Sequence, residues 1–259
     1  MSIFHFFRDR KRARLLAQPI PESWESILAN TFPLYRKMDE VDRAELQRHM
    51  QIFLGEKRFR GGHGLVVTEE MRVTIAAQAC LLLMHRNCRY YPTLRTIFVY
   101  PSAYFAGQPD GDVQRRLGES WQYGPVVLAW DSSRRGGKNV YDGRNVVLHE
   151  FAHQLDQMDG DADGMPALGI VDETGELHLQ YRSWAMVFTR EFRRHVKKSN
   201  KGRKTVIDHY GATNPAEFFA CATEAFFEKP RSMNKKHPEL YEELKAFYRQ
   251  DPLKWSRIK

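Results

Sequence analysis

The stretch VVLHEFAHQLD at residues 146 to 156 constrains the fold of this chain more than any other. It predicts a helix over roughly residues 143 to 157, with Asp142 as its cap. An apolar stripe on this helix follows the spacing of a core-facing side and comprises Leu148, Phe151, Ala152 and Leu155. His149 and His153 are one helical turn apart, so they share a different face. The helix therefore separates an apolar side from a histidine side.

The histidine side of this helix has the chemistry of a catalytic metal site. Imidazole suits Zn²⁺, which in catalytic sites takes three protein ligands and a water molecule. Zinc lowers the pKa of that water to about 7. Glu150, directly after the first histidine, can take the proton and later deliver it to a leaving amine. The pattern HEFAH thus predicts a peptidase helix with His149 and His153 as ligands and Glu150 as the catalytic acid and base.

The third metal ligand has to come from elsewhere in the chain. The downstream candidates are His178, His195, His209, Glu217 and Glu224. No histidine follows closely behind HEFAH, which favours a glutamate from another helix. The helix predicted over residues 214 to 228 carries Glu217 and Glu224 on nearly the same face. Spacing alone does not choose between them, and a salt-bridge partner or an acid favoured by the helix dipole is the alternative for each.

A resemblance to a known class of peptidase separates the two glutamates. HEFAHQLD together with YGATNPAEFFACATEAFF resembles the gluzincin arrangement of the anthrax lethal factor type. In that class, a tyrosine seven residues before a glutamate accompanies the HExxH helix. The resemblance implies that Glu217 is the third zinc ligand and that the Tyr210 hydroxyl stabilises the oxyanion. A phenol can donate a hydrogen bond to such developing negative charge.

A second resemblance covers more of the chain, from about residue 20 to residue 253. The stretches ESWQYGPVVLAW, HEFAHQLD, AEFFA and FYRQDP are similar to the Mlc titration factor A family of bacterial cytosolic zinc peptidases. This resemblance implies one catalytic Zn²⁺, aminopeptidase activity on short peptides, and binding to the glucose-regulating repressor Mlc. The alternative function is a protein-binding regulator that sequesters a transcription factor, with hydrolysis secondary.

The order of the predicted elements indicates the fold class. TIFVY (96–100) and GPVVLAW (124–130) are predicted strands, and helices are predicted before and after them. This order favours an α+β fold, mainly helical and zincin-like, with a small mixed sheet beside the HExxH helix.

One metallopeptidase domain is expected over residues 21 to 253. Its helical part extends to about residue 90, and its zincin core begins at about residue 91. Residues 1 to 20 are expected to form a flexible basic tail, and residues 254 to 259 a second tail.

Two further groups of residues are candidates for roles around the metal. Asp156 lies three residues beyond His153, where its carboxylate can accept the second N–H of a ligating histidine. GPVVLAW is predicted as an edge strand to which a peptide substrate adds, and an ordinary core strand is the alternative. The residues of this substrate strand are Gly124, Pro125, Val126, Val127 and Leu128.

Composition limits the other classes of function. The net charge is +8, but the basic residues are dispersed, so no nucleic-acid partner is expected. No apolar run reaches the roughly 18 to 20 residues that span a bilayer, and the amino-terminal stretch lacks the order of a secretory signal. These features predict a cytoplasmic protein without a membrane partner. The three cysteines, Cys80, Cys88 and Cys221, show no CxxC spacing and fit a reducing compartment.

The loop after the metal helix contains a partial calcium-binding pattern, DGDADG. Asp159, Asp161, Asp163 and Gly164 match its first positions, but Ile170 stands at the twelfth position, where such loops require a glutamate. A solvated turn is therefore expected here.

Overall fold

The computed structural model describes residues 3–86, 90–107, 113–116, 118–120, 124–160, 162–166 and 176–255. The helices that precede the sheet's second strand are α1 (Ile3–Leu16), α2 (Glu22–Thr31), α3 (Leu34–Lys37), α4 (Glu40–Glu56) and α5 (Glu69–Leu81). The later helices are α6 (Trp130–Lys138), α7 (Val146–Asp156), α8 (Glu176–Ser199), α9 (Pro215–Glu228), α10 (Pro230–Lys236) and α11 (Pro238–Tyr248). Short 3-10 helices span Gln157–Asp159 and His209–Ala212.

The strands are β1 (Arg58–Gly61), β2 (Thr96–Tyr100), β3 (Tyr104–Gly107), β4 (Val113–Arg116), β5 (Gly118–Ser120) and β6 (Val126–Ala129). The main sheet has the order β1-β2-β6-β5, in which the first three strands run parallel and β5 runs antiparallel to β6. Strands β3 and β4 form a separate antiparallel pair. A small sheet among many helices confirms the predicted α+β class.

Side chains cap the starts of helices α4, α5 and α7. Asp39 caps α4 by accepting a hydrogen bond from the Asp42 backbone N–H, and Thr68 caps α5 in the same way from Met71. Residue Asn145 caps α7, so the predicted cap Asp142 is wrong and the helix begins three residues later than expected.

The flexible tail predicted over residues 1 to 20 is wrong for its greater part, which forms α1. In the folded chain, Arg12 donates to Glu56 on α4 at 2.7 and 3.0 Å and stacks 4.6 Å from the centre of the Tyr90 ring. These partners are distant in sequence, so local patterns could not reveal them. The predicted second tail lies outside the described residues from position 256 onward.

The edge-strand prediction for GPVVLAW is also wrong. Strand β6 lies between β2 and β5, with Ile97 opposite Val126 and Gly118 opposite Leu128. The strand ends at Ala129, because Trp130 begins α6. The strand next to β6 at one end of the sheet is β5. It has only three residues, too few to show a strand pattern in the sequence.

One apolar core contains buried residues of β2 and β6 and of the helices before and after them in the chain. The ring of Phe151 on α7 packs against Phe53 and Tyr91, with centroids 5.7 and 4.8 Å apart. This packing fixes the rotation of α7 and so decides which way its histidines face. Among the described residues, no helix is both long and apolar enough to cross a membrane.

Candidate metal centre

Helix α7 is held at its start by one side chain. The Asn145 side-chain oxygen accepts from the backbone N–H groups of Val147 and Leu148 at 3.1 and 3.0 Å. The predicted apolar stripe is buried, namely Leu148, Phe151, Ala152 and Leu155. Because the stripe faces the core, the histidine side of α7 faces helix α9, which packs against it.

Helix α9 brings a carboxylate to this side of α7. Asn214 caps α9 by accepting from the Glu217 backbone N–H at 2.9 Å, and Pro215 occupies the first turn. Both features agree with the helix start predicted from the sequence. The cap places Glu217 in the first turn of α9, opposite the two histidines of α7.

The side chains of His149, His153 and Glu217 meet at one point. His149 Nε2 lies 2.9 Å from Glu217 Oε2 and 3.2 Å from His153 Nε2. His153 Nε2 lies 3.3 Å from the same oxygen of Glu217. The structure thus brings together the three residues that the sequence analysis proposed as metal ligands.

These three donor atoms fit a zinc ion. Tetrahedral bonds of about 2.0–2.1 Å place neighbouring ligand atoms roughly 3.3 Å apart, close to the observed separations. The donor set of two imidazoles and one carboxylate is a known set for catalytic zinc. Side chains of His149, His153 and Glu217 remain 11 to 17% exposed, so a water molecule can reach the cluster.

A second carboxylate of α9 supports His149 from behind. Glu224 Oε1 lies 2.8 Å from His149 Nδ1, and Glu224 Oε2 accepts a short hydrogen bond from the Asn145 backbone N–H. A carboxylate on Nδ1 fixes the tautomer in which Nε2 is free to bind a metal. The sequence analysis weighed Glu224 only as an alternative ligand or a salt-bridge partner. Its burial among phenylalanines, seven residues after Glu217, was the available signal for a partner inside the protein.

The pKa shifts of His149 and Glu217 show that their surroundings favour positive charge. Burial would lower the pKa of His149, but hydrogen bonds with Cys221, Glu217 and Glu224 raise that pKa well above its ordinary value. Burial would raise the pKa of Glu217, yet the hydrogen bonds with His149 and His153 hold it below the ordinary range. The buried carboxylates therefore stabilise a cation at this point, whether a proton or a metal ion.

Replacing Glu224 by glutamine is expected to weaken zinc binding about 10- to 100-fold without unfolding the protein. The amide keeps the size of the side chain but loses the charge that polarises the His149 ring. Competition with a zinc-chelating dye measures the affinity. Glu242→Gln, at an exposed position of α11, is the matched control and should match the wild type. An unchanged affinity in Glu224→Gln would show that this carboxylate does not support the ligand.

Glu150 lies on α7 next to strand β5. Its side chain is only 6% exposed. A Cβ atom at Gly118 would lie 2.5 Å from Glu150 Oε1, so glycine is needed where β5 passes this carboxylate. The side chain of the predicted catalytic base therefore lies where the metal helix faces β5.

Tyr210 lies on the other side of Glu217. Asp208 holds it by accepting from its backbone N–H at 3.0 Å. The Tyr210 hydroxyl is 3.4 Å from Glu217 Oε1, and its ring centre is 5.9 Å from that of His149. Burial and the charge of Glu217 raise the pKa of this phenol, which keeps it protonated and able to donate. More than half of the side chain is exposed, which leaves it accessible to a substrate.

Asp156 makes a contact that the sequence did not predict. Its Oδ2 atom accepts from the Gly164 backbone N–H at 2.9 Å, and the Gly164 carbonyl accepts from Trp184 Nε1 at 3.1 Å. Gly164 has φ +77°, which favours glycine. Asp156 thus fastens the loop that follows the metal helix, and its predicted bond to a ligating histidine stays a prediction.

The calcium-loop pattern lies partly outside the described residues, which do not include Asp161, Ile170 or the side chain of Asp159. The part that is described agrees with a turn. Asp163 is exposed and accepts from the Met165 backbone N–H at 2.9 Å.

The predicted substrate strand is not at the surface of the sheet. Val126 and Leu128 are fully buried in β6, between two neighbouring strands. Val127 lies on the same internal strand, and Gly124 and Pro125 precede it. The strand that borders Glu150 is β5, which the sequence analysis missed.

Comparison with known proteins identifies the family. The model of the glucose-regulated metallo-peptidase M90 family matches residues 7–249, so the chain belongs to that family. It is 39% identical over 254 residues to an uncharacterised protein of Synechocystis sp., covering 95% of this chain and 90% of the relative. It is 28% identical over 256 residues to Mlc titration factor A of Yersinia pestis, covering 95% and 88%.

These relationships confirm the resemblance to the Mlc titration factor A family. They also confirm the predicted class of enzyme at the level of the family, which is one of metallopeptidases. Such a family implies a bound metal, typically zinc, and the cluster of His149, His153 and Glu217 is one of the groups able to hold it.

Proposed function

We propose that the protein is a zinc-dependent peptidase of the gluzincin type with a zincin-like domain. His149, His153 and Glu217 hold the ion in this proposal. The observation that carries it is the convergence of their three donor atoms within 3.3 Å of one another, beside a buried glutamate and an accessible phenol. This combination has a role for each side chain in peptide hydrolysis, which a structural zinc site would not need.

The chemistry divides between the metal and the side chains around it. When bound, zinc polarises the scissile carbonyl and makes a water molecule acidic enough to lose its proton near neutral pH. Glu150 takes that proton and delivers it to the departing amine. Glu224 keeps His149 in the ligating tautomer, and the low exposure of Glu150 limits competition from bulk water.

Replacing Tyr210 by phenylalanine is expected to lower kcat about 10²-fold with little change in KM or zinc content. The variant keeps the ring but removes the O–H that donates to the oxyanion. Steady-state kinetics with a chromogenic dipeptide measure both constants. Tyr100→Phe, at a tyrosine in β2, is the control and should match the wild type. Equal kcat for wild type and Tyr210→Phe would remove the hydroxyl from the reaction.

The position of β5 supports a way of holding the substrate. A peptide that adds to the sheet as a further strand beside β5 would pass close to Glu150, because Gly118 lies against that side chain. By the family resemblance, the proposed substrates are short peptides cut from the amino terminus, and the proposed location is the cytoplasm. Strand β5 replaces residues 124 to 128 in this role.

A peptide-library digest tests the proposed activity. The zinc-loaded protein should release amino-terminal residues from short peptides, and a chelator should stop the reaction reversibly. Cleavage only at internal bonds would make the enzyme an endopeptidase. The absence of any chelator-sensitive cleavage would contradict the proposal.

A second candidate function is the binding of a transcription factor. The observation that favours it is the similarity to Mlc titration factor A, a protein named for acting on Mlc. A pull-down with the repressor and Glu150→Gln separates binding from hydrolysis. Retained repressor would support a regulatory role, and no binding at micromolar concentration would count against it.

A further inference from the structure

A cavity of about 410 Å³ lies at the carboxyl-terminal end of α9, at the other end of that helix from Glu217. It is formed where the end of α9 meets α10, the end of α3 and the loop that precedes α7. A volume of this size is within the range of small-molecule sites in proteins. No step of the proposed peptidase reaction uses this cavity.

The inner wall of the cavity is apolar and aromatic. Leu34, Val140, Phe227 and Trp255 line it and are all buried. The Phe227 and Trp255 rings lie nearly parallel, 18° apart in orientation. Tyr141 also lines the cavity and is 67% exposed, so an aromatic ring borders its mouth. Such a wall favours a flat apolar group.

The rim of the cavity is positively charged. Lys37, Lys229 and Arg231 line it, and the Lys37 ammonium lies 3.0 Å from the Tyr141 hydroxyl. The acid in the lining is Glu228, which is 3% exposed. Burial and the charge of nearby Glu224 raise the pKa of Glu228 to about 9, although a hydrogen bond with Asn145 opposes this shift. With Glu228 protonated at neutral pH, the charged side chains in the lining are the cations Lys37, Lys229 and Arg231.

Glu228 connects this cavity to the metal cluster. Its Oε1 accepts from the Asn145 side chain at 3.1 Å, and its Oε2 accepts from the Arg144 backbone N–H at 3.0 Å. Asn145 caps the metal helix and donates its own backbone N–H to Glu224. Glu224 in turn contacts His149 Nδ1. Glu228, Asn145 and Glu224 thus link the cavity wall to the proposed zinc ligand His149 through direct hydrogen bonds.

We propose that this cavity binds a small organic anion with an apolar ring, and that its occupancy changes the affinity of the metal cluster. The ring would lie against the aromatic wall, and a phosphate or carboxylate would contact the rim cations. A ligand that shifts Glu228 also shifts the cap of the metal helix, so the two sites are coupled and each changes the other's affinity equally. The proposed change in metal affinity rests on the proposed function, whereas the proposed binding of the anion does not.

Calorimetric titration of the full chain tests the binding directly. Phenyl phosphate and phenylacetate serve as probes. Inorganic phosphate and phenol are the separated halves of the first, and acetate and benzyl alcohol stand for the anionic and aromatic parts of the second. We expect at least one probe to bind saturably, with an affinity about tenfold or more above that of either of its halves. The two probes distinguish a phosphate from a carboxylate ligand. If neither probe binds up to 10 mM, an order-of-magnitude limit for weak ligands, or if phosphate alone binds as tightly, the proposal is overturned.

Two double variants locate the site. Lys37→Gln with Arg231→Gln removes two rim charges and is expected to weaken probe binding about tenfold or more. Arg193→Gln with Lys197→Gln removes the same charge from the exposed face of α8 and should leave binding unchanged. Equal weakening in both variants would show general charge attraction. Thermal melting confirms that each variant is folded. Tyr141→Ala, at an exposed position of the lining, should also weaken probe binding.

The coupling is measured as the zinc affinity with and without saturating probe. A change of about threefold or more in the wild type, absent in the Lys37→Gln, Arg231→Gln variant, is expected. Unchanged zinc affinity with the probe bound would overturn the coupling. If the wild type binds no zinc, the proposed function fails, while probe binding remains a separate result.

Discussion

Replacing Glu150 by glutamine is expected to lower kcat/KM for peptide hydrolysis by about 10²- to 10⁴-fold while zinc remains bound. Glutamine has nearly the same shape as glutamate but cannot accept a proton from water. Glu150 is not among the three clustered donor atoms, so its replacement leaves them unchanged. Steady-state kinetics and metal analysis on the same preparation measure both effects.

The control for this variant is its zinc content, which should equal that of the wild type. A loss of zinc would make Glu150 a ligand or a structural support instead of a base. Unchanged turnover in an assay that a chelator still inhibits would remove Glu150 from the reaction. Gly118→Ala provides an independent check, since the added methyl group would press on Glu150 Oε1 without altering any titratable group.

Replacing Glu217 by alanine is expected to weaken zinc binding by more than about 10²-fold and to abolish hydrolysis. The variant removes one of three converging donors, the oxygen that lies 2.9 and 3.3 Å from the two histidine nitrogens. The two remaining imidazoles are too few for a stable catalytic site. Competition with a zinc-chelating dye gives the affinity.

Comparison with Glu224→Gln tests whether Glu217 is the metal ligand and Glu224 the carboxylate that supports His149. A ligand should contribute more to zinc affinity than the carboxylate behind a ligand, so Glu217→Ala should have the larger effect. The reverse order would indicate that Glu224 binds the metal, in the alternative cluster formed with His149 and Cys221. Circular dichroism should show both variants folded, because α9 keeps its Asn214 cap.

The metal helix and the start of α9 could be predicted from the sequence because their signals are local. The apolar stripe of α7 fixed its inner face, and Asn214 with Pro215 marked the start of α9. The distinction between Glu217 and Glu224 could not be derived in this way. Two residues seven positions apart lie on nearly the same face of a helix. The orientation of the His149 ring distinguishes them, because Nε2 contacts Glu217 and Nδ1 contacts Glu224.

Other features depend on contacts between distant parts of the chain. Strand β5 has three residues and exists through its pairing with β6. Helix α1 has a charged middle section, Arg8 to Arg12, and Arg12 contacts Glu56 on α4. Helix α7 is capped by Asn145 and not by the predicted Asp142, and Asn145 is held in place by hydrogen bonds to Glu224 and Glu228. In each case, tertiary contacts outweigh local preference.

The central claim is that His149, His153 and Glu217 hold one zinc ion on which hydrolysis depends. Titration of metal-free wild-type protein with zinc, followed by peptide hydrolysis, tests it most directly. Activity should rise from zero and reach a plateau at one equivalent of zinc per chain, and Glu217→Ala should stay inactive over the same range. Full activity in the metal-free protein, or a rise in Glu217→Ala that matches the wild type, would contradict the claim.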